Sequence, residues 1–236
     1  EALCAVEQAG GVLPRHAVEL DATALKALVK AGLVEMGERD YKLDCEWSKM
    51  QLPHLSEAQT VALETLRNGL VDKRVALLHG VTSSGKTEIY MTLMAEALAR
   101  GGDVLLLVPE IALTGQLIER LERVFGSRVS AYHSKLTMLR RTETFLRLTH
   151  SSGGELVIGA RSALFLPLRH LQLVIVDEEH DSSYKQSDSA PRYQGRDCAI
   201  MLASMYGAKV LLGTATPSVE TYFNATNGKY GLVELK

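Results

Sequence analysis

The chain is poor in cysteine, with three among 236 residues, at Cys4, Cys45 and Cys198. None stands in a C-x-x-C pair, so the sequence offers no metal site of that kind and no disulfide framework, and it suits a reducing compartment. It also lacks any apolar run near the roughly 20 residues that cross a bilayer, so no membrane is expected among its partners. An excess of one charge is missing too: 26 Lys and Arg stand against 28 Asp and Glu, for a formal net charge of −2. A globally basic surface is excluded, and any contact with nucleic acid must rest on local patches. No internal repeat and no low-complexity tract is visible. What is present is 46% hydrophobic and 23% charged residues, the balance of a globular protein with a substantial core and one or two domains.

Two regions differ in periodicity. Residues 1–44 read as three short helices and a two-stranded wing, the order of a winged helix. Pro14 suits the first turn of the second helix. Asp21 caps the third, with Leu25, Leu28 and Val29 on its apolar face and Gly32 at its end. Lys26 and Lys30 on that helix, with Arg39 and Lys42 in the wing, leave a DNA reader and a spacer or protein-docking module both open. Residues 45–54, with Trp47 and Pro53, read as a linker. From residue 55, strand-like runs at 75–78, 104–108, 129–132, 156–158, 173–176 and 209–212 alternate with helix-like segments at 86–99, 114–124, 136–148 and 197–206. The alternation predicts an α/β domain over 55–236, a largely parallel sheet with helices on both faces. The chain opens at Glu1 without Met and is expected to be an excised piece.

The most informative run is Gly80-Val81-Thr82-Ser83-Ser84-Gly85-Lys86-Thr87, which fits G-x-x-x-x-G-K-[ST] between a strand-like and a helix-like segment. Backbone N–H groups of such a loop, with the positive end of the helix dipole, converge on phosphates. Lys86 is expected to reach the β- and γ-phosphates of ATP, and the Thr87 hydroxyl to take one position on Mg²⁺. Downstream, the apolar run 174–176 ends in Asp177-Glu178-Glu179-His180. Asp177 would then stand at the carboxyl edge of the sheet as the second Mg²⁺ ligand, and Glu178 would orient or deprotonate the attacking water. An exposed acidic turn is the bland alternative for that cluster. Nothing suggests a covalent intermediate, and the other histidines read as surface or packing residues.

Together these two elements resemble the first motor lobe of superfamily 2 helicases, in their DExH class. Residues 108–114, 159–165 and 213–218 look like that family's motifs Ia, Ib and III, and 55–59 like its adenine-reading element, with Gln59 on the adenine edge. The segments 183–186 and 191–197 narrow the similarity to the bacterial replication-restart helicases. Ser83 departs from the glycine frequent at that loop position. The resemblance implies a RecA-like lobe preceded by a small α+β winged-helix domain. It also implies ATP-driven 3′→5′ unwinding of DNA at stalled forks and primosome assembly in the bacterial cytoplasm, at the nucleoid. DNA as single strand and fork, other primosome proteins and the single-stranded-DNA-binding protein are the implied partners. A second motor lobe and a zinc-binding cysteine cluster belong to the family and are expected outside this chain.

In motors of this type one strand crosses the carboxyl-side loops, held mostly through phosphates. Arg161 and Ser162 suit a phosphate grip, and Thr114 can cap the following helix and offer a second. Tyr184, Lys185, Arg192, Tyr193 and Arg196 interleave cations with aromatics, as a single strand requires, a polar surface loop being the alternative. His180, Thr214 and Thr216 are expected to couple the γ-phosphate to that strand. Two other readings stay open: a nucleotide-gated binding module without turnover, and a related translocase acting on RNA or within a restriction enzyme.

Overall fold

The computed structural model describes residues 22–33, 51–82, 84–187 and 190–235. The chain divides into two units, Glu1–Leu43 and Asp44–Lys236. In the first, the described residues form helix α1, Ala22–Lys30. It ends at Gly32, whose φ of 68° lets the N–H groups of Gly32 and Leu33 turn back to the carbonyls of Val29 and Leu28. The other winged-helix elements, and residues 45–50 of the expected linker, lie outside the described residues.

The second unit is an α/β lobe. Its elements run α2 (Glu57–Asp72), β1 (Val75–Gly80), α3 (Lys86–Ala99), β2 (Asp103–Leu107), α4 (Gly115–Phe125), β3 (Val129–Tyr132), α5 (Met138–His150), β4 (Leu156–Gly159), β5 (Leu171–Asp177), α6 (Gly195–Tyr206), β6 (Lys209–Thr214), α7 (Val219–Thr226) and β7 (Gly231–Leu235). The seven strands form one parallel sheet in the order β3-β4-β2-β5-β6-β1-β7. Parallel pairing forces crossovers that cover both faces, so Val104–Leu107 of β2 and Leu173–Val176 of β5 are apolar and buried without alternation. Leu66, Ile89, Met94, Leu121 and Phe125 of α2, α3 and α4 fill one face. Leu148, Ala199, Ala203 and Ala225 of α5, α6 and α7 fill the other.

This is the RecA-like architecture expected, with the six anticipated strands in place. Three elements go beyond that expectation: α2, α7 and the edge strand β7. Helix α2 starts at a capping box: the Ser56 hydroxyl accepts from Gln59 N–H, while Gln59 Oε1 accepts from Ser56 N–H. Ser218 caps α7 with its hydroxyl alone, which accepts from Thr221 N–H.

Candidate nucleotide and nucleic-acid site

The functional residues gather because of strand order. Strand β6 lies between β1 and β5, with Gly213 in register with Leu78 on one side and Asp177 on the other. The loop after β1, the acidic turn after β5 and the Thr214–Thr216 turn after β6 therefore share one edge of the sheet, the carboxyl edge.

Helix α3 begins without a side-chain cap, at Gly85 with φ 84°. Helices α2, α4, α5 and α7 each have a Ser or Thr accepting from a backbone N–H at that position. The first N–H groups of α3 have no acceptor within the helix, and they open onto the loop from Gly80. Lys86 is buried beneath this loop and donates to the carbonyls of Gly80 (2.9 Å) and Val81 (3.3 Å). An ammonium has three donors, so one is left for an anion. Ser84 Oγ is buried with no partner. Gln59, placed by the capping box, donates its amide to the carbonyls of Ser84 (3.4 Å) and Gly85 (3.2 Å). It thus braces the loop. Thr82 is exposed and Thr87 half-buried in the first turn of α3, while Ser83 lies outside the described residues.

The acidic turn is tightly specified. Burial pushes the Asp177 carboxyl above its ordinary value, against the Tyr90 hydroxyl that donates to it at 2.9 Å. Glu178 has φ 46°, the one positive φ on a non-glycine among the described residues. That left-handed turn aims its carboxylate at Thr214, whose hydroxyl donates to Glu178 Oε2 at 3.2 Å. With its proton committed there, Thr214 Oγ1 must accept from Thr216 N–H (3.1 Å) and from His180 Nδ1 (2.8 Å). His180 Nε2 is then the acceptor for the Thr216 hydroxyl at 3.3 Å. One chain of hydrogen bonds runs Glu178–Thr214–His180–Thr216.

Glu179 points into the protein and is fully buried. It accepts from Ser218 N–H (2.7 Å) and from the Ser218 and Thr221 hydroxyls, and pairs with Arg196 Nη1 at 3.0 Å. Sequence reasoning missed this hub, and it overturns one expectation. Arg196 is buried, its guanidinium taken up by Glu179, Asp197 and Ser218, so it does not face a nucleic acid strand.

Tyr184 requires the same correction. It is 1% exposed, inside the apolar layer below β5, and its hydroxyl donates to the Asp177 carbonyl at 2.7 Å. No base can stack on it. The remaining candidates stay at the surface. Lys185 and Arg192 are exposed, and Tyr193 is half-buried, edge-on to Phe165 and beneath the Arg161 guanidinium at 5.7 Å. Arg161 also donates to Ser183 O at 3.0 Å. With Glu110, Ser134, Ser162 and Gln186, Arg161 and Tyr193 line a depression of about 190 Å³. Thr114 caps α4, accepting from Leu117 N–H at 3.4 Å, and is itself exposed.

Among the described residues no three His, Cys, Asp or Glu side chains converge as a metal cage. Mg²⁺ needs no such cage, since it is commonly held by one or two carboxylates and the phosphates it accompanies. The uncapped helix start, the spare Lys86 donor and the unpartnered Ser84 hydroxyl fit a nucleotide phosphate chain, and Thr87 and Asp177 would be the residues to hold an accompanying ion.

A phosphate loop, an acidic turn and a Thr-containing turn on adjoining strands of a RecA-like sheet define a nucleotide-dependent motor lobe. Consistent with this, residues 56–224 match the DEAD/DEAH box helicase family model, and the chain belongs to that family. It is 44% identical over 223 residues to the replication restart protein PriA of Chlamydia trachomatis, covering 91% of this chain and 29% of that protein. To replication restart protein PriA of Bacillus subtilis it is 40% identical, covering 92% and 28%. The chain thus spans less than a third of these relatives' length. Among solved structures, RecG bound to a three-way DNA junction aligns with a TM-score of 0.56 and 19% identity, covering 92% of this chain and 26% of that one. The DUF1998 helicase MrfA bound to DNA aligns at a TM-score of 0.54 with 17% identity, covering 94% and 30%. These likenesses speak for the fold.

Proposed function

We propose that the chain is the ATP-binding and DNA-contacting lobe of an ATP-dependent 3′→5′ DNA helicase that restarts stalled replication forks and assembles the primosome. The observation that carries this reading is the continuous linkage from Lys86 and the uncapped α3, across β6, to Asp177, Glu178 and the Thr214–His180–Thr216 chain. When bound, ATP supplies the phosphoryl group that water accepts, and Mg²⁺ draws off charge from its oxygens. Lys86 and the backbone N–H groups of α3 bind the phosphates. Glu178, its carboxylate held by Thr214, orients a water and takes up its proton. Gln59 keeps one Oε1 lone pair for the adenine amine while its amide braces the loop.

The strand path runs over Thr114, Arg161, Ser162, Lys185, Arg192 and Tyr193. Single-stranded and forked DNA, other primosome proteins and the single-stranded-DNA-binding protein are the partners in the whole protein, in the cytoplasm at the nucleoid. For this chain alone a second reading applies, a nucleotide-gated binding module with little turnover. The relatives are more than three times longer, and an arginine finger from a second lobe is worth on the order of 10³–10⁵ in rate.

An ATPase assay with and without single-stranded DNA, on the full-length protein and on this chain, tests both. DNA-stimulated hydrolysis is expected in the full-length protein, with Lys86→Ala lowering it by about 100-fold or more. Turnover in Lys86→Ala equal to that of the unsubstituted protein would sink the assignment. Brisk turnover by this chain alone would remove the second reading.

A further inference from the structure

We propose that Tyr90 is a positioning residue for the metal-holding carboxylate, and that Gly213 is glycine in order to admit it. This inference rests on the reading of Asp177 as the residue that holds Mg²⁺. Tyr90 follows Lys86 by four residues on α3, so the two side chains leave the same face of one helix. Lys86 goes to the loop after β1, and Tyr90 reaches over β6 to donate to Asp177 Oδ1 on β5 at 2.9 Å. A single rigid helix thereby spaces the phosphate-binding ammonium from the carboxylate.

The route over β6 exists only because that strand carries no side chain at the crossing. A Cβ on Gly213 would collide with the Tyr90 hydroxyl and stand 2.8 Å from its ring carbon Cζ. Glycine inside a central parallel strand weakens the strand and marks a close approach. Here the approaching group is the hydroxyl. A buried tyrosine hydroxyl usually finds an acceptor. What sets this one apart is its choice: the hydroxyl takes the carboxylate at the sheet's functional edge. Groups that hydrogen-bond a metal-holding side chain orient it and raise affinity, by about 10- to 100-fold where measured. Tyr184 fastens the other end of the same residue, its main-chain carbonyl, from the opposite face of the sheet. Asp177 is therefore pinned from both layers, and the Tyr90 bond is the one that acts on the carboxylate.

The test compares the affinity of a fluorescent, non-hydrolysable ATP analogue in Mg²⁺ and in EDTA, using this 236-residue chain. For the unsubstituted chain Mg²⁺ tightens binding, and Asp177→Ala loses that tightening. Tyr90→Phe, which deletes one oxygen and keeps the ring, is expected to reduce the tightening by roughly tenfold, with affinity in EDTA within about twofold. Gly213→Ala, which displaces the hydroxyl without deleting it, is expected to do the same. If Tyr90→Phe keeps the full tightening while Asp177→Ala loses it, the proposal is wrong and the metal assignment stands. If Tyr90→Phe loses affinity equally in EDTA, Tyr90 only supports the core and the proposal is again wrong. If Asp177→Ala retains the tightening, the underlying assignment fails.

Discussion

At the scale of single residues, neighbours in sequence have opposite fates. Asp177, Glu178 and Glu179 are consecutive, yet the first faces α3, the second turns outward at φ 46°, and the third is buried under Arg196, Ser218 and Thr221. The run of acids announced a site, but nothing in it distinguished the inward glutamate. That depends on Arg196, Ser218 and Thr221, which are remote in sequence and meet it only in the fold. The same cause explains the errors over Tyr184 and Arg196. A stretch of tyrosines and cations reads as one surface, whereas the 3₁₀ turn Ser182–Tyr184 and the start of α6 drive two of them inward. Arg196→Ala is expected to leave the Glu179 carboxylate buried and unpaired, at a cost of about 3–5 kcal/mol. Urea denaturation measures this loss, and Arg196→Ala/Glu179→Ala should recover part of it. Equal midpoints for Arg196→Ala and the unsubstituted chain would contradict the buried pair.

At the scale of elements, the strands were legible because doubly covered parallel strands are nearly unbroken apolar runs, as in Asp103–Leu107 and Leu171–Asp177. Helix α3 was legible from the loop that opens it. Helix α2 was harder to see because its apolar stripe, Ala62, Leu63, Leu66 and Leu70, is interrupted by charge and contains Gly69. Strand β7 is broken by Gly231 and the exposed Glu234 and lies at the edge, pairing with β1 alone. Yet α2 carries Gln59, so its first turn bears on the nucleotide site. Ser56→Ala removes the hydroxyl half of the capping box and is expected to cost about 1 kcal/mol of stability. It is also expected to weaken nucleotide binding a few-fold, as Gln59 loses its fixed place against Gly85. Thermal melts and nucleotide titration read the two effects separately, and a stability loss without any change in binding would detach Gln59 from the loop.

At the scale of the whole molecule, a net charge of −2 requires the proposed DNA contacts to rest on a local patch. Beside the half-buried Arg161, Lys185 and Arg192 are the exposed cations there. Replacing both with Ala is expected to reduce the slope of log K against log salt for single-stranded DNA by roughly 1.4, or about 0.7 per phosphate contact. Binding titrations across a salt series measure this, and an unchanged slope would place the strand elsewhere. The sheet order also bears on how the molecule assembles. Strand β1 has two partners, and both come late: Val75 pairs with Val210, and Ala76 with Gly231. Strands β2, β3, β4 and β5 can pair among themselves while β1 waits alone. During synthesis the phosphate loop therefore hangs from an unpaired strand until the last strands emerge. Long-range parallel pairing of this kind is slow, because loop closure is opposed by chain entropy before contacts compensate. On the proposed function, nucleotide capture is then expected to be a late event in the life of the nascent chain, one that follows the pairing of β1 with β6 and β7.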